Sequence, residues 1–273
     1  MSEIPALTDR LALTRHRDRA RKSPALFLHE EALSDVQDRL ALVNKSFTVP
    51  AIVTPFPDVW KDAFPKAHLA PDDDVLDLRE SAYDLIVHAM ALHWANDPVG
   101  QLIQCRRALK PDGLLLVVAL GGQTLHEVRA SLGQAEIEIT GGLSPRIAPM
   151  GEIRDLGALL QRAGLALPVA DSAVLRTSYA TPLHLMHDLR AMGETNAMTS
   201  RLRRATRKTV FLRAMELYAE AYSDDTGRIA ATFEMITLTG WAPDSSQPQP
   251  LRPGSAAQRL ADALNTVETP LKD

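Results

Sequence analysis

The spacing of apolar residues changes along the chain and divides it into three predicted regions. In residues 1–45 the apolar positions recur at helical spacing, and Pro24 separates two predicted helices, which we interpret as an N-terminal helical arm. Residues 46–242 alternate short apolar runs with amphipathic stretches, as expected of an α/β domain. Residues 243–273 are rich in Pro, Ser and Gln, which predicts an extended tail with one short helix near residues 256–264.

The strongest strand signals lie in the centre of the chain. Tyr83–Met90 and Leu114–Leu120 are apolar runs of the kind that is buried on both faces of a parallel sheet, and Val49–Val53 is a shorter one. The amphipathic stretch Val99–Lys110 predicts a helix that ends where Pro follows and where Gly113 supplies positive φ. Strand, helix, turn and strand in this order predict a parallel βαβ crossover.

The remainder of the α/β region continues the alternation of helices and strands. Its predicted elements are helix Gly151–Ala163, strand Leu165–Val169, helices Pro182–Met192 and Thr206–Tyr222, and a closing strand at Thr232–Thr239. Ala67–Ala70 is a further short apolar run before the central strands. The pattern therefore predicts a mostly parallel sheet flanked by helices.

Composition and charge narrow the functional classes. The formal net charge of −4 gives no indication of nucleic acid or a membrane surface as a partner. No apolar run approaches the ~20 residues of a membrane span, and no signal-peptide pattern opens the sequence. The single cysteine, Cys105, excludes an internal disulfide and fits a reducing compartment. We therefore expect a cytoplasmic protein in which Cys105 is a structural thiol.

Several motifs in order resemble those of a known superfamily. The segment Asp84–Trp94 (DLIVHAMALHW), followed by RRALKPDG ending at Gly113, resembles the fourth-to-fifth-strand region of class I methyltransferases that use S-adenosylmethionine (SAM). The later motifs GGQTL, GGLSPR, MGE, ATFE and LTGWAP resemble bacterial relatives of the mitochondrial complex I assembly factor described as a protein-arginine hydroxylase. That family is similar to the malonyl-carrier-protein methyltransferases of biotin synthesis. The resemblance implies a Rossmann-like class I methyltransferase fold and SAM as cofactor.

The loop that binds SAM in this superfamily is missing from the sequence. The family uses a glycine-rich turn after the first strand, because glycines allow positive φ and a close approach of the cofactor to backbone amides. Here the first strand runs into Val53-Thr-Pro-Phe-Pro-Asp58, and no glycine precedes Gly100. Two prolines fix φ and remove donors, and Phe56 places a ring where the resemblance places cofactor. We therefore expect that ordinary SAM binding has been lost.

Length points to a shortened first half of the sheet. Three strands, two helices and their connections need about 55 residues, and the stretch from Phe47 to Asp84 is too short for them. We predict that one βα unit is absent, together with the acidic residue that binds the ribose. Ala67–Ala70 would then serve as the family's third strand.

The resemblance implies four candidate cofactor ligands. Thr54 follows the first strand, Asp72 and Asp73 align with the family's acidic turn after the third strand, and His88 ends the Tyr83–Met90 strand at the crevice edge. The alternatives are that the acidic turn consists of solvated loop carboxylates and that His88 is a structural residue.

The resemblance also implies a substrate side of the site. His93 is the candidate general base, and Trp94 and Arg146 are candidate substrate-binding residues. The alternatives are that His93 and Trp94 form a packing pair and that Arg146 braces its own loop. His184, His187 and Asp188 have a spacing that can bind a metal, but no remote third ligand is identifiable, so no metal site is predicted.

Two functional hypotheses remain from the sequence. In the first, the chain keeps the methyltransferase fold and a surface for a protein partner, and serves in the assembly of a respiratory or other complex without ordinary catalysis. In the second, it is an active SAM-dependent methyltransferase, or a related enzyme that modifies a protein substrate. The missing glycine loop favours the first hypothesis.

Overall fold

A computed structural model describes residues 6–248, 260–264 and 266 of the chain. The helices are α1 Arg10–Ala20, α2 Phe27–Leu42, α3 Pro98–Ala108, α4 His126–Thr140, α5 Ile153–Arg162, α6 Pro182–Ala191, α7 Lys208–Tyr222 and α8 Leu260–Ala263. The strands are β1 Pro50–Val53, β2 His68–Ala70, β3 Tyr83–Ala89, β4 Leu109–Leu120, β5 Ala166–Tyr179 and β6 Ile229–Trp241. The chain divides into two compact units, residues 1–243 and 244–273.

The strands form one sheet in the order β2-β1-β3-β4-β6-β5. The first four of these are mutually parallel, and β6 runs antiparallel to both β4 and β5. This arrangement confirms the Rossmann-like class I methyltransferase fold, with a mostly parallel sheet flanked by helices.

The central strands are apolar along their whole length because both of their faces are covered. Alternate residues of β3, such as Leu85 and Ile86, enter two different clusters of buried side chains. The first cluster contains residues of α2, α4, α6 and α7, and the second contains residues of α3 and α5. Side chains on successive strand residues point to opposite faces, so the sheet separates two helical layers.

The first half of the sheet is short, as the length of the sequence predicted. β2 pairs directly with β1, with Ala51 opposite His68 and Val53 opposite Ala70. The connection between them contains a single 3-10 turn at Pro57–Val59 instead of an α-helix. The prediction that Ala67–Ala70 forms a strand is therefore confirmed for His68–Ala70.

Three features of the fold differ from the sequence-based prediction. Helix α4 was not predicted, and β5 extends to Tyr179, well past the predicted end at Val169. The turn before the long run of β4 was expected to place Gly113 at positive φ, but Asp112 has that conformation, with φ of 57°. Gly113 is required for space instead, because a Cβ there would lie 2.8 Å from the Lys110 carbonyl oxygen.

Candidate functional site

The carboxyl ends of the parallel strands bring three of the predicted cofactor residues to one edge of the sheet. Thr54 follows β1, Asp72 follows β2, and His88 lies near the end of β3, and all three are buried. The backbone N–H of Thr54 donates to Ala70 at 3.0 Å, and its hydroxyl accepts a bond from the Phe56 N–H at 3.2 Å. The side chain of Thr54 therefore shapes the turn after β1.

Asp72 is occupied by arginines of helix α1. The Arg17 Nη1 atom donates to both carboxylate oxygens of Asp72 at 2.7 and 2.8 Å, and only 6% of each side chain is exposed. Arg10 adds a bond of 3.3 Å to the same carboxylate and one of 2.5 Å to the Asp72 carbonyl oxygen. Helix α1 of the helical arm therefore contacts the edge of the sheet, and its arginines pair with the carboxylate of Asp72 in the acidic turn.

Asp73, the neighbouring candidate, is largely solvated. Its side chain is 69% exposed, and Arg10 Nη2 lies 3.5 Å from Oδ1. Its carbonyl oxygen accepts a bond of 3.0 Å from the side chain of Gln101. The backbone of Asp73 is thus tied to helix α3, whereas its carboxylate faces solvent.

The segment that replaces the glycine turn is packed into the protein. Phe56 is buried, and its ring meets the ring of His29 edge-on at a centroid distance of 4.9 Å. Burial lowers the pKa of His29 to about 4, with a further lowering by the charges of Arg17 and His93, so the imidazole is neutral at pH 7. The ring of Phe56 is therefore held by α2 from the helical arm.

Several nitrogen atoms at this edge of the sheet are buried without a hydrogen-bond partner. Among the described residues these include Nε and Nη2 of Arg17, Nδ1 of His29 and Nδ1 of His88. The other ring nitrogen of His88, Nε2, lies 2.8 Å from Oε1 of Gln101. Burial lowers the pKa of His88, so this imidazole is neutral too. Buried polar atoms normally have partners, so this edge of the sheet retains unused capacity for hydrogen bonds.

His93, the predicted general base, is enclosed. Only 1% of its side chain is exposed. Its Nδ1 accepts a long bond of 3.5 Å from the Leu120 N–H, and its Nε2 lies 3.1 Å from Oε2 of Glu194. Both nitrogens are thus engaged within the protein, which leaves neither directed at a substrate in this arrangement.

Glu194 connects the predicted catalytic and substrate residues. Its Oε2 atom also accepts a bond of 2.7 Å from the Trp94 indole N–H. Burial raises the pKa of Glu194, but the attraction and hydrogen bond of His93, the charge of Arg17 and the Trp94 bond outweigh it, so the pKa lies below its usual value. Glu194 is therefore ionised at neutral pH.

Arg146 is braced by Glu136 of α4. Nη2 and Nε of Arg146 donate to the two carboxylate oxygens at 2.6 and 3.2 Å, and Nη1 donates to the Thr206 hydroxyl at 2.7 Å. The hydrogen bond from Arg146, with further bonds from Ser144, lowers the pKa of Glu136 to about 2. The hydrogen bonds of this guanidinium thus hold the loop that contains Arg146 against α4 and against the segment before α7.

Trp94, Arg146 and Glu194 line one cavity of about 600 Å³. Its walls are mostly apolar and come from α4, α6, β4 and β6 and from the loops around residues 145–150 and 194–206. Thr54, Asp72, Asp73 and His88 do not line this cavity. The predicted substrate residues therefore share a cavity that the predicted cofactor residues do not reach.

The sequence-based prediction of site residues did not include two residues of this region, Glu194 and Arg17. Glu194 lies in the MGE motif that carried the resemblance, and Arg17 lies in a short basic run in the helical arm. Sequence adjacency to a family motif is a usable signal for Glu194. No local signal marks Arg17, because its partner Asp72 is 55 positions away.

Other candidate groups do not form a centre of their own. Cys105 is fully buried, and burial raises the pKa of its thiol to about 12. The Nδ1 atom of His184 lies 2.8 Å from the Thr181 hydroxyl. Within the described part of the chain, no three His, Cys, Asp or Glu side chains are grouped so as to hold a metal ion. No helix in the same part has the length and apolar character needed to cross a membrane.

The sequence is similar to a methyltransferase domain model and to several named proteins. Residues 35–117 match the methyltransferase domain model. The arginine-hydroxylase NDUFAF5 of Danio rerio is 38% identical over 191 residues, which cover 70% of this chain and 59% of that protein. The malonyl-[acyl-carrier protein] O-methyltransferase of Methylovorus is 32% identical over 67% of this chain and 59% of the relative. The chain thus spans about 60% of the length of these relatives.

One relative is matched over most of its length. The putative methyltransferase RP459 of Rickettsia prowazekii is 31% identical over 175 residues, which cover 64% of this chain and 77% of that protein. A solved structure, the YcgJ protein of Bacillus subtilis, is 12% identical with a TM-score of 0.49, over 80% of this chain and 100% of that one. At 31% identity over 77% of RP459, the chain belongs to the family of that putative methyltransferase, and its strand order is that of the Rossmann-like class I methyltransferase fold.

Proposed function

We propose that this chain is a methyltransferase-superfamily protein with a degenerate SAM-binding loop, which acts by binding a protein partner. The observation that carries this proposal is the pair between Arg17 and Asp72, in which each side chain is only 6% exposed. Asp72 belongs to the acidic turn in which the resemblance implies a carboxylate ligand for adenine, and it already accepts two bonds from the chain's own helical arm. An adenine would have to displace a buried guanidinium to reach it.

The turn after β1 also does not fit the methionine part of SAM. In place of glycines it contains Pro55 and Pro57, which lack backbone N–H groups. The ring of Phe56 is buried against His29 beside this turn. The residues present therefore do not match the superfamily's way of binding SAM.

A protein partner is supported by the retained second half of the fold. The resemblance to a complex I assembly factor rests on the motifs from Gly121 onwards, and the resemblance to class I methyltransferases rests on the segment from Asp84 to Gly113. The earlier segment contributes to β3, α3 and β4, and the later motifs lie in β6 and in the loops after β4, α4 and α6. In this proposal the sheet has kept its role as a scaffold, and the surface formed by its later elements binds the partner during assembly of a respiratory or other complex.

The second candidate function is an active SAM-dependent methyltransferase or a related protein-modifying enzyme. The observation that favours it is the set of buried nitrogens without partners on Arg17, His29 and His88, since such atoms are ready to bind a polar ligand. Ionised Glu194 on the cavity wall adds a group that could orient a substrate side chain.

Calorimetric titration of the purified protein with SAM and with S-adenosylhomocysteine separates the two functions. We expect no binding heat at millimolar concentrations of either compound. Micromolar binding would contradict the proposal and would show that the site has been rebuilt from other residues. In that case the His88→Ala variant tests the rebuilt site, because this histidine is buried at the strand edge with one nitrogen unused.

A further inference from the structure

The loop before α7 is strongly basic. Five of the eight residues in the basic segment, defined as residues 201–208, are Arg or Lys. This concentration contrasts with the chain as a whole, which has a formal net charge of −4. A local excess of one sign on a protein of opposite net charge creates a distinct field that steers oppositely charged partners.

Most of these cations are not used inside the protein. Arg201 donates to Asp9 at 2.9 Å and to the Met198 carbonyl oxygen at 2.8 Å. Arg203 has only a 3.5 Å contact with the same Asp9 and is 65% exposed. The other cations of the segment have no side-chain hydrogen bond or ion pair among the described residues; they are Arg204, Arg207 and Lys208.

The position of two of these cations is unfavourable for the fold alone. Arg207 precedes α7 and Lys208 is its first residue, and the first turn of the helix contains no acidic residue. The N-terminus of a helix carries partial positive charge and is stabilised by acidic groups. Positive side chains at this end do not stabilise the helix, so their charge is available to a partner.

Part of the basic segment lines the apolar cavity. Arg201, Leu202 and Thr206 line the cavity, and Phe211 of α7 lines it one turn later. His187 and Arg190 of α6 also line the cavity, and both are exposed. The cavity lining thus combines mostly apolar side chains with exposed cationic residues, and the rest of the basic segment adjoins it in the chain.

We propose that the basic segment and this cavity form one docking surface for an acidic amphipathic protein segment. Apolar side chains of the partner enter the cavity, and its carboxylates contact Arg204, Arg207, Lys208 and Arg190. This inference rests on the proposed partner-binding function and names the chemistry of the partner. A protein segment suits the surface better than a nucleic acid, because the apolar walls require apolar groups and not only phosphates.

The test uses the full chain and a fluorescein-labelled synthetic peptide of about 20 residues, in which Glu alternates with Leu and Phe at helical spacing. Fluorescence anisotropy measures its binding to the wild type and to the R204E/R207E variant. The matched control is R154E/R162E, which reverses two exposed arginines of α5, in the helical layer on the other face of the sheet. A second variant, Leu183→Trp, fills the cavity wall at a residue that is 44% exposed.

We expect the R204E/R207E variant to bind the peptide at least tenfold more weakly and the control to stay within twofold of the wild type. We also expect Leu183→Trp to weaken peptide binding severalfold, and polyglutamate of equal charge to bind at least tenfold more weakly than the peptide. Equal weakening in the control variant would overturn the proposal, as would equal binding of polyglutamate. Tighter binding of an RNA oligomer or of phosphatidylglycerol vesicles would overturn it in favour of those partners.

The outcome is independent of the titration with SAM. Failure of the peptide to bind would remove this docking surface but leave the question of cofactor loss to calorimetry. Binding of SAM would remove the proposed non-catalytic role but would not affect the anisotropy result.

Discussion

The carboxylate of Asp72 is held by an ion pair within the chain itself. It lies after β2, at the sheet edge where the resemblance places an adenine ligand, yet both of its oxygens accept bonds from Arg17. A buried ion pair is costly to desolvate, and its stability depends on both partners being present. The energetic consequence is a strong coupling between these two side chains.

We predict that Arg17→Met lowers the free energy of unfolding by about 3–5 kcal/mol, because Asp72 would remain as a buried charge without its main partner. The double variant R17M/D72N should recover most of this loss, since both charges are then removed together. Urea unfolding of Arg17→Met, Asp72→Asn, the double variant and the wild type measures the effect. If the double variant is as unstable as the sum of the single ones, the coupling is absent.

The pair of Glu136 and Arg146 should make stability depend on acid pH. The pKa of Glu136 is lowered to about 2 in the folded protein by Arg146 and Ser144, against an ordinary value near 4.3. A lowered folded-state pKa contributes stability that is present above the unfolded pKa and is lost as pH falls towards the folded one.

We therefore expect the wild type to lose about 1–2 kcal/mol through this pair between pH 5 and pH 2, an amount reduced by solvent screening at the partly exposed Arg146. Glu136→Gln should be less stable at pH 7 and should lack this part of the acid dependence. Thermal unfolding across the pH range measures both quantities. Parallel stability curves for the two proteins would show that the pair does not contribute.

Among the secondary-structure elements, α1 supplies the arginines that bind Asp72 at the edge of the sheet. The bridge between Thr8 and Met198 precedes it, and the N–H of Asp9 donates to the Ala197 carbonyl oxygen at 2.8 Å. Gly193, just after α6, packs against Arg17 from the other side. The loop after α6 therefore holds α1 in the position from which Arg17 reaches Asp72.

Gly193→Ala tests this packing. Gly193 has φ of +79°, and an added Cβ would lie 3.1 Å from Arg17 Cγ and 3.3 Å from its Cα. We predict a loss of about 2–3 kcal/mol, of which about 1 kcal/mol comes from the positive φ and the remainder from crowding of α1. Gly227→Ala is the matched control, since its φ is +77° and nothing lies within 4 Å of the added Cβ. Equal losses in the two variants, measured by urea unfolding, would show that α1 is not crowded.

For the whole molecule, the single cysteine provides a reporter of global unfolding. Cys105 of α3 lies in the apolar cluster between the sheet and α5, and its thiol pKa is raised to about 12. A protonated, inaccessible thiol does not react with thiol reagents. We predict that labelling at pH 8 follows the rate of global opening and rises with urea in step with loss of circular dichroism. Rapid labelling of the native protein would contradict the buried position of α3.

The local sequence determined the main elements of the fold and the family. Continuous apolar runs predicted β3 and most of β4, because strands buried on both faces need apolar residues throughout. The helical arm, the βαβ crossover and the short first half of the sheet also followed from periodicity, turn residues and length. Helix α4 did not, because its buried face includes Glu127, Ser131 and Glu136, which dilute the apolar pattern.

The partners of the site residues were decided only by the tertiary structure. The family resemblance implied that Asp72, His93 and Arg146 belong to a site, but it could not show that each is bonded to a residue of the protein itself. Those partners are Arg17, Glu194 and Glu136, of which the first two lie 55 and 101 positions away. Contacts over such distances arise when packing brings elements together, so local patterns predict elements while the folded chain determines which charges meet.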